Sequence, residues 1–101
     1  MLPTKRVTTH PGEVLQEEFL SPMAISQSAL ARHLGVPPYT INEIVHAKRA
    51  VSPRMAVMLS RALGTSPEFW MGLQADYDLT AVLRTREGKR AQTIPPIARA
   101  G

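Results

Sequence analysis

Residues 26–49, SQSALARHLGVPPYTINEIVHAKR, decide the fold. The stretch divides at Gly35. Before it, Ala29, Leu30, His33 and Leu34 recur at offsets of three and four, which predicts a short helix with these residues on its inward face. Ala31 keeps a small side chain where a second helix can cross. After the turn, Val36 points back into the corner and the Pro37-Pro38 pair opens another helix, in which Ile41, Ile44 and Val45 repeat the same spacing. Two short helices around a tight glycine turn make a helix-turn-helix, with residues 38–46 as the candidate recognition helix for a DNA major groove. A purely structural helix pair carries the same stripe. Beyond the stripe, Gln27 opens the first helix with an amide that reaches both a phosphate and the neighbouring helix. Tyr39, Thr40, Asn42, Glu43 and His46 give the outward side of the second helix mostly hydrogen-bonding groups, as base reading requires.

On the N-terminal side, residues 1–9 hold Lys5 and Arg6 and no periodicity, which reads as an extended arm. Residues 9–13, THPGE, are a helix start with a cap candidate, a proline in the first turn and an acid near the positive helix end. This first helix runs to Phe19 or Leu20, stopped by Ser21-Pro22, and Ser26 caps the next one. On the C-terminal side, Ser52-Pro53 starts a fourth helix with Met55, Ala56, Met58, Leu59, Ala62 and Leu63 as its apolar stripe. Gly64 supplies a left-handed stop. Ser66-Pro67-Glu68 repeats the start signal, and a fifth helix turns Phe69, Trp70, Leu73 and Tyr77 inward and continues towards Leu83. From Glu87 the chain reads as a basic tail without stable helix, interrupted by Pro95-Pro96, and residues 93–97 are a candidate extended segment. The expectation is an all-α, five-helix domain over residues 10–83, with an arm at 1–9 and a basic tail at 84–101.

The chain has 101 residues, enough for one helical core, with 44% apolar and 20% charged residues. It has no cysteine, which excludes a disulfide framework and thiolate chemistry and fits a reducing compartment. No apolar run approaches the roughly 18 residues of a membrane span, and the N-terminus lacks a signal-peptide core, so a cytoplasmic location is expected. The net charge of +4 is unevenly placed. Residues 1–78 sum to zero, while Arg84, Arg86, Lys89, Arg90 and Arg99 against Glu87 supply the excess. Within the body, Glu13, Glu17 and Glu18 crowd the first helix. Arg32, Lys48, Arg49, Arg54 and Arg61 surround the helix-turn-helix, opposed there only by Glu43. A basic face around a reading helix is the footprint of phosphate contact.

Catalytic chemistry finds no support. His10, His33 and His46 have no metal-ligand spacing, and His33 at an inward position reads as a packed core histidine. The serines sit mostly at helix caps, without a nucleophile motif, and no glycine-rich phosphate loop occurs. The five methionines read as core fillers. Neither an enzyme nor a cofactor is expected.

Three segments together carry a family resemblance: HPGEVLQEEFLSPMAISQSALARHLGVPP at 10–38, INEIVHAKRAVSP at 41–53 and LGTSPEFWMGLQADYDL at 63–79. In this combination and spacing the chain resembles the HigA/VapI-type antitoxins of the Xre (Cro/repressor-like) helix-turn-helix family. The resemblance implies a homodimer on a palindromic double-stranded operator. It also implies a protein partner, a RelE/HigB-like toxin that cleaves mRNA at the ribosome. Carried over by position, Gln27, Pro38, Tyr39, Thr40, Asn42 and Glu43 face the operator, with Lys48 and Arg49 on backbone phosphates. Trp70, Leu73 and Tyr77 are the expected dimer contact. Glu13, Glu17 and Glu18, the densest acidic group, are the expected face for a basic toxin, against the plainer reading of a solvated helix side.

The chain departs from the family pattern in three places. No arginine stands near Tyr39-Thr40. His46-Ala47 replaces the usual Asn-Gly, so the left-handed turn there lacks its glycine, at a cost of about 1 kcal/mol if the geometry is kept. Arg54-Met55 replaces Asp-Thr, which places a cation at a positive helix end and marks Arg54 as a candidate for the DNA backbone. A stand-alone transcriptional regulator without a toxin, or an interaction module that has lost DNA binding, are the competing readings.

Overall fold

A computed structural model describes residues 9–98, and the expected arm at residues 1–9 lies outside them but for its last residue. The helices follow the predicted punctuation. α1 begins with an α-helical turn at Pro11–Val14 and continues as a π-helical segment at Leu15–Leu20. α2 is Gln27–Leu34, α3 Pro38–Val45, α4 Pro53–Leu63 and α5 Pro67–Leu83. Ser26, Ser52 and Ser66 each accept the backbone N–H three residues on, from Ala29, Met55 and Phe69. Gly35 and Gly64 end α2 and α4, both at φ +75°.

The wide turns of α1 have a packing reason. Leu15, Phe19 and Leu20 all face inward, at a spacing that suits a helix wound more loosely than 3.6 residues per turn. Ser21 N–H donates to the Gln16 carbonyl and Ile25 N–H to Leu20, both five residues back. The core is Leu15, Leu20, Leu30, Ala31, Ile41, Ile44, Val51, Met55, Ala56, Leu59 and Trp70. Each of the larger side chains contributes about 1.5–3 kcal/mol by leaving water. Trp70 is fully buried, with Phe19 and Phe69 rings at 5.5 and 5.0 Å and its indole N–H donating to Thr65 Oγ1 at 2.7 Å.

The HPGE start explains itself in three dimensions. His10 caps α1 by accepting the Gly12 N–H on Nδ1 at 2.9 Å. Its ring meets Tyr77 edge-on at 4.7 Å. Burial pushes the His10 pKa below the ordinary histidine value, against the upward pull of Asp78 and Glu13, which favours the neutral ring the cap needs. Gly12 lies against the backbone of α3, where an added Cβ would stand 1.7 Å from the Ile44 carbonyl oxygen. Only glycine lets α1 and the end of the recognition helix meet so closely.

Four expectations are corrected. His33 is exposed: the inward stripe of α2 is Gln27, Leu30, Ala31 and Leu34, which turns position 33 to solvent. Phe69 remains substantially exposed, because Trp70 takes the inward position at the start of α5. Trp70 itself, expected at a dimer contact, is wholly inside the protomer and offers no surface. The basic tail contains a sixth helix, α6, at Arg86–Ala91. Thr85 caps it, accepting the Gly88 N–H and donating to the Val82 carbonyl, and buried Gly88 abuts that same carbonyl where a Cβ would not fit. No strand occurs among the described residues.

Candidate nucleic-acid interface

α2 and α3 cross with Ala31, Leu30, Ile41 and Ile44 between them, all buried, which leaves the opposite side of α3 to solvent. Pro38 occupies the first position of α3 and the extended Pro37 caps it without a side-chain bond. Tyr39 and Asn42 are exposed; Thr40 and Glu43 are partly so. At the far end His46 folds its ring back, with Nδ1 2.8 Å from the Asn42 carbonyl.

The next residue, Ala47, has φ +60°, so the left-handed turn is kept without glycine. That conformation costs an L-residue about 1–2 kcal/mol. The turn is closed by Lys48 N–H donating to the Glu43 carbonyl at 2.8 Å. Beyond it Val51 N–H donates to Gln74 Oε1, and Gln74 Nε2 donates to Asp78 Oδ1, so the loop after α3 is tied to α5. Nothing in the residue pattern of α5 flagged Gln74; its partner is 23 residues away.

Arg49 is held rather than loose. Its guanidinium pairs with Glu43 at 2.6 Å, donates through Nε at 2.8 Å and lies 6.0 Å from the Tyr39 ring centre. The pair neutralises the carboxylate on the reading face. It also brings a cation beside Tyr39, where the family pattern has an arginine and this chain does not. Lys48 and Arg54 are exposed, and the first turn of α4 contains no acid to pair with Arg54. Arg32 and Arg61 are exposed as well.

Gln27 bonds in two directions: its Oε1 accepts from Asn42 Nδ2 at 3.1 Å and its Nε2 donates to Gln16 Oε1 at 3.2 Å. The structure thus groups Gln27 with Asn42, and Tyr39 with Glu43 and Arg49. Gln16 was not legible as part of the site, because a lone amide on a helix carries no pattern. Leu73 and Tyr77 are half-buried against the body, and Glu13, Glu17 and Glu18 are exposed along α1. No group of three or more potential metal ligands occurs among the described residues.

Comparison with known proteins places this geometry. A family model described as helix-turn-helix matches residues 20–70. Virulence-associated protein I of Dichelobacter nodosus is 46% identical over 70 residues, covering 69% of this chain and 65% of that protein. Antitoxin HigA-1 of Vibrio cholerae is 37% identical over 97 residues, covering 96% of this chain and 90% of its own length. Among solved structures, Pseudomonas aeruginosa antitoxin HigA with higBA promoter superimposes with a TM-score of 0.83 at 41% identity, covering 90% of this chain and 99% of that one. The chain belongs to the HigA/VapI-type antitoxins of the Xre (Cro/repressor-like) helix-turn-helix family.

Proposed function

We propose that this chain is the antitoxin of a type II toxin–antitoxin module, a non-enzymatic regulator that binds its own operator as a homodimer. The observation that carries the DNA reading is the exposed side of α3, where Tyr39, Thr40, Asn42 and the Glu43–Arg49 pair stand together. Lys48 and Arg54 flank it as phosphate contacts, and Pro38 sets the entry of the helix. The HigA relative solved with higBA promoter DNA supports the same use of the fold here. Tyr39→Ala and Thr40→Ala are each expected to cost about 1–3 kcal/mol on the cognate operator and little on random DNA. Lys48→Ala or Arg54→Ala should weaken both and flatten the salt dependence. Mobility shift across a salt series measures both effects, and unchanged specific binding in the Tyr39 and Thr40 variants would sink this assignment of the reading face.

The homodimer reading rests on the far part of α5. The apolar residues of this helix are not confined to one face: Leu79, Val82 and Leu83 remain exposed, and Ile94 and Ile97 beyond α6 do too. Exposed apolar side chains grouped in this way mark a surface that a partner covers. With Trp70 inside the protomer, the contact moves outward along α5 from Leu73 and Tyr77 to Leu79 and Val82. A two-fold there would set two recognition helices about 34 Å apart. Leu79→Glu with Val82→Glu is expected to give a folded monomer at micromolar protein and to weaken operator binding; sedimentation reads the first effect and mobility shift the second.

The toxin partner is a basic, mRNA-cleaving protein of the RelE/HigB type, encoded next to this chain. Glu13, Glu17 and Glu18, all exposed on α1, form the acidic face offered to it. Reversing the three to lysine together is expected to abolish co-purification of the protein encoded by the adjacent short reading frame while operator binding stays. Retained co-purification would move the contact off α1, and lack of any protein partner would favour a stand-alone regulator. No helix of the described residues is long and apolar enough to cross a membrane; binding to an operator and to a toxin that cleaves mRNA belongs in the cytoplasm.

A further inference from the structure

The recognition helix is connected to α1 by a line of three side-chain amides. Asn42 on α3 donates through Nδ2 to Gln27 Oε1, and Gln27 on α2 donates through Nε2 to Gln16 Oε1 on the π-helical segment of α1. An amide has one donor end and one acceptor end, so such a line runs in a single sense. Gln27 offers its oxygen to Asn42 while its nitrogen is taken by Gln16. With Nδ2 turned to Gln27, the Asn42 carbonyl oxygen stands on the side of the amide away from α2. When the Nδ2 hydrogen trans to that oxygen is the one given to Gln27, the remaining hydrogen lies on the oxygen's edge. An edge with one acceptor beside one donor is the complement of adenine N6 and N7 in the major groove. The terminal torsion of a free asparagine is broad, so without an anchor this edge would not be held in one direction.

We infer that Gln16, which is outside the helix-turn-helix, is a positioning residue for base recognition: through Gln27 it sets the direction of the Asn42 amide and with it a preference for adenine. The inference rests on the reading of α3 as the DNA-contacting helix. It explains why a half-buried glutamine sits among the glutamates of α1 with its oxygen aimed at α2. It also gives Gln27 a task beyond a phosphate contact, since both ends of its amide are engaged within the protein.

The test is selection from a random duplex DNA pool by the full chain and its variants, with melting followed by circular dichroism to confirm folding. Asn42→Ala identifies the base position that Asn42 reads in each half-site. Gln16→Glu can only accept, locks the observed direction, and is expected to keep the adenine preference there. Gln16→Met keeps the length without an acceptor and should lower that preference about fivefold or more while other positions are unchanged. Gln16→Lys can only donate, which reverses the line, and should replace or erase adenine at the same position. Wild-type preference in both Gln16→Met and Gln16→Lys would overturn the inference, as would a pool motif that Asn42→Ala does not alter. Failure of the wild-type chain to enrich any sequence would instead overturn the DNA reading on which it rests.

Discussion

Trp70→Ala is expected to remove about 3–5 kcal/mol of stability, a large part of the 5–15 kcal/mol typical of a small domain. The indole is fully buried and touches both Phe19 from α1 and Phe69 from its own helix, so truncation opens a cavity where α1 meets α5. The aromatic neighbours are themselves large and cannot collapse into the space without leaving their own contacts. Trp70→Phe separates the two contributions. It keeps most of the ring packing but removes the indole donor to Thr65 Oγ1, and is expected to cost only about 1 kcal/mol beyond the lost volume. Chemical denaturation of the three proteins checks the order. A Trp70→Ala protein as stable as wild type would show that the indole is not central to the fold.

Gly12→Ala is the second large effect, and its origin is overpacking. The new methyl would fall 1.7 Å from the Ile44 carbonyl oxygen and 2.9 Å from the Val45 Cα, both backbone atoms with no rotamer to change. α1 and α3 would have to separate by more than about 1 Å, which a close-packed interior resists. The expected loss is about 3 kcal/mol. Because Ile44 and Val45 are the last turn of the recognition helix, any fold that survives should also lose operator selectivity. Gly35, exposed at the turn of the helix-turn-helix, serves as the control: no atom lies within 4 Å of a Cβ there, so Gly35→Ala pays only for φ +75°, about 1–2 kcal/mol. Denaturation midpoints decide between them. Equal losses at positions 12 and 35 would mean that the close approach of α1 and α3 relaxes freely.

Helix boundaries were readable because the interactions that set them are local. A serine hydroxyl reaches an N–H three residues on, a proline fixes its own φ, and a glycine at φ +75° ends a helix within one turn. Such contacts span at most a few residues, so a short string of letters contains both partners. For the same reason the helix-turn-helix and its outward polar residues were legible, and even the strained Ala47 turn was foreseeable from the missing glycine. α6 went unread although Thr85 caps it in the same way, because its other support is the close approach of Gly88 to the Val82 carbonyl, which no spacing rule encodes.

Facing and pairing were decided only when the helices packed. His33 and Leu34 are neighbours on α2, and which of them turns inward depends on where α3 and α4 lie. The same is true of Phe69 and Trp70 on α5, one exposed and one buried by the position of α1. The reading face shows it most clearly. Its charges and amides were visible one by one in the chain, but the 2.6 Å pair of Glu43 with Arg49 and the line from Gln16 through Gln27 to Asn42 join residues 6, 11 and 15 apart. Hydrogen bonds act over about 3 Å, and only tertiary packing brings such distant positions within that reach.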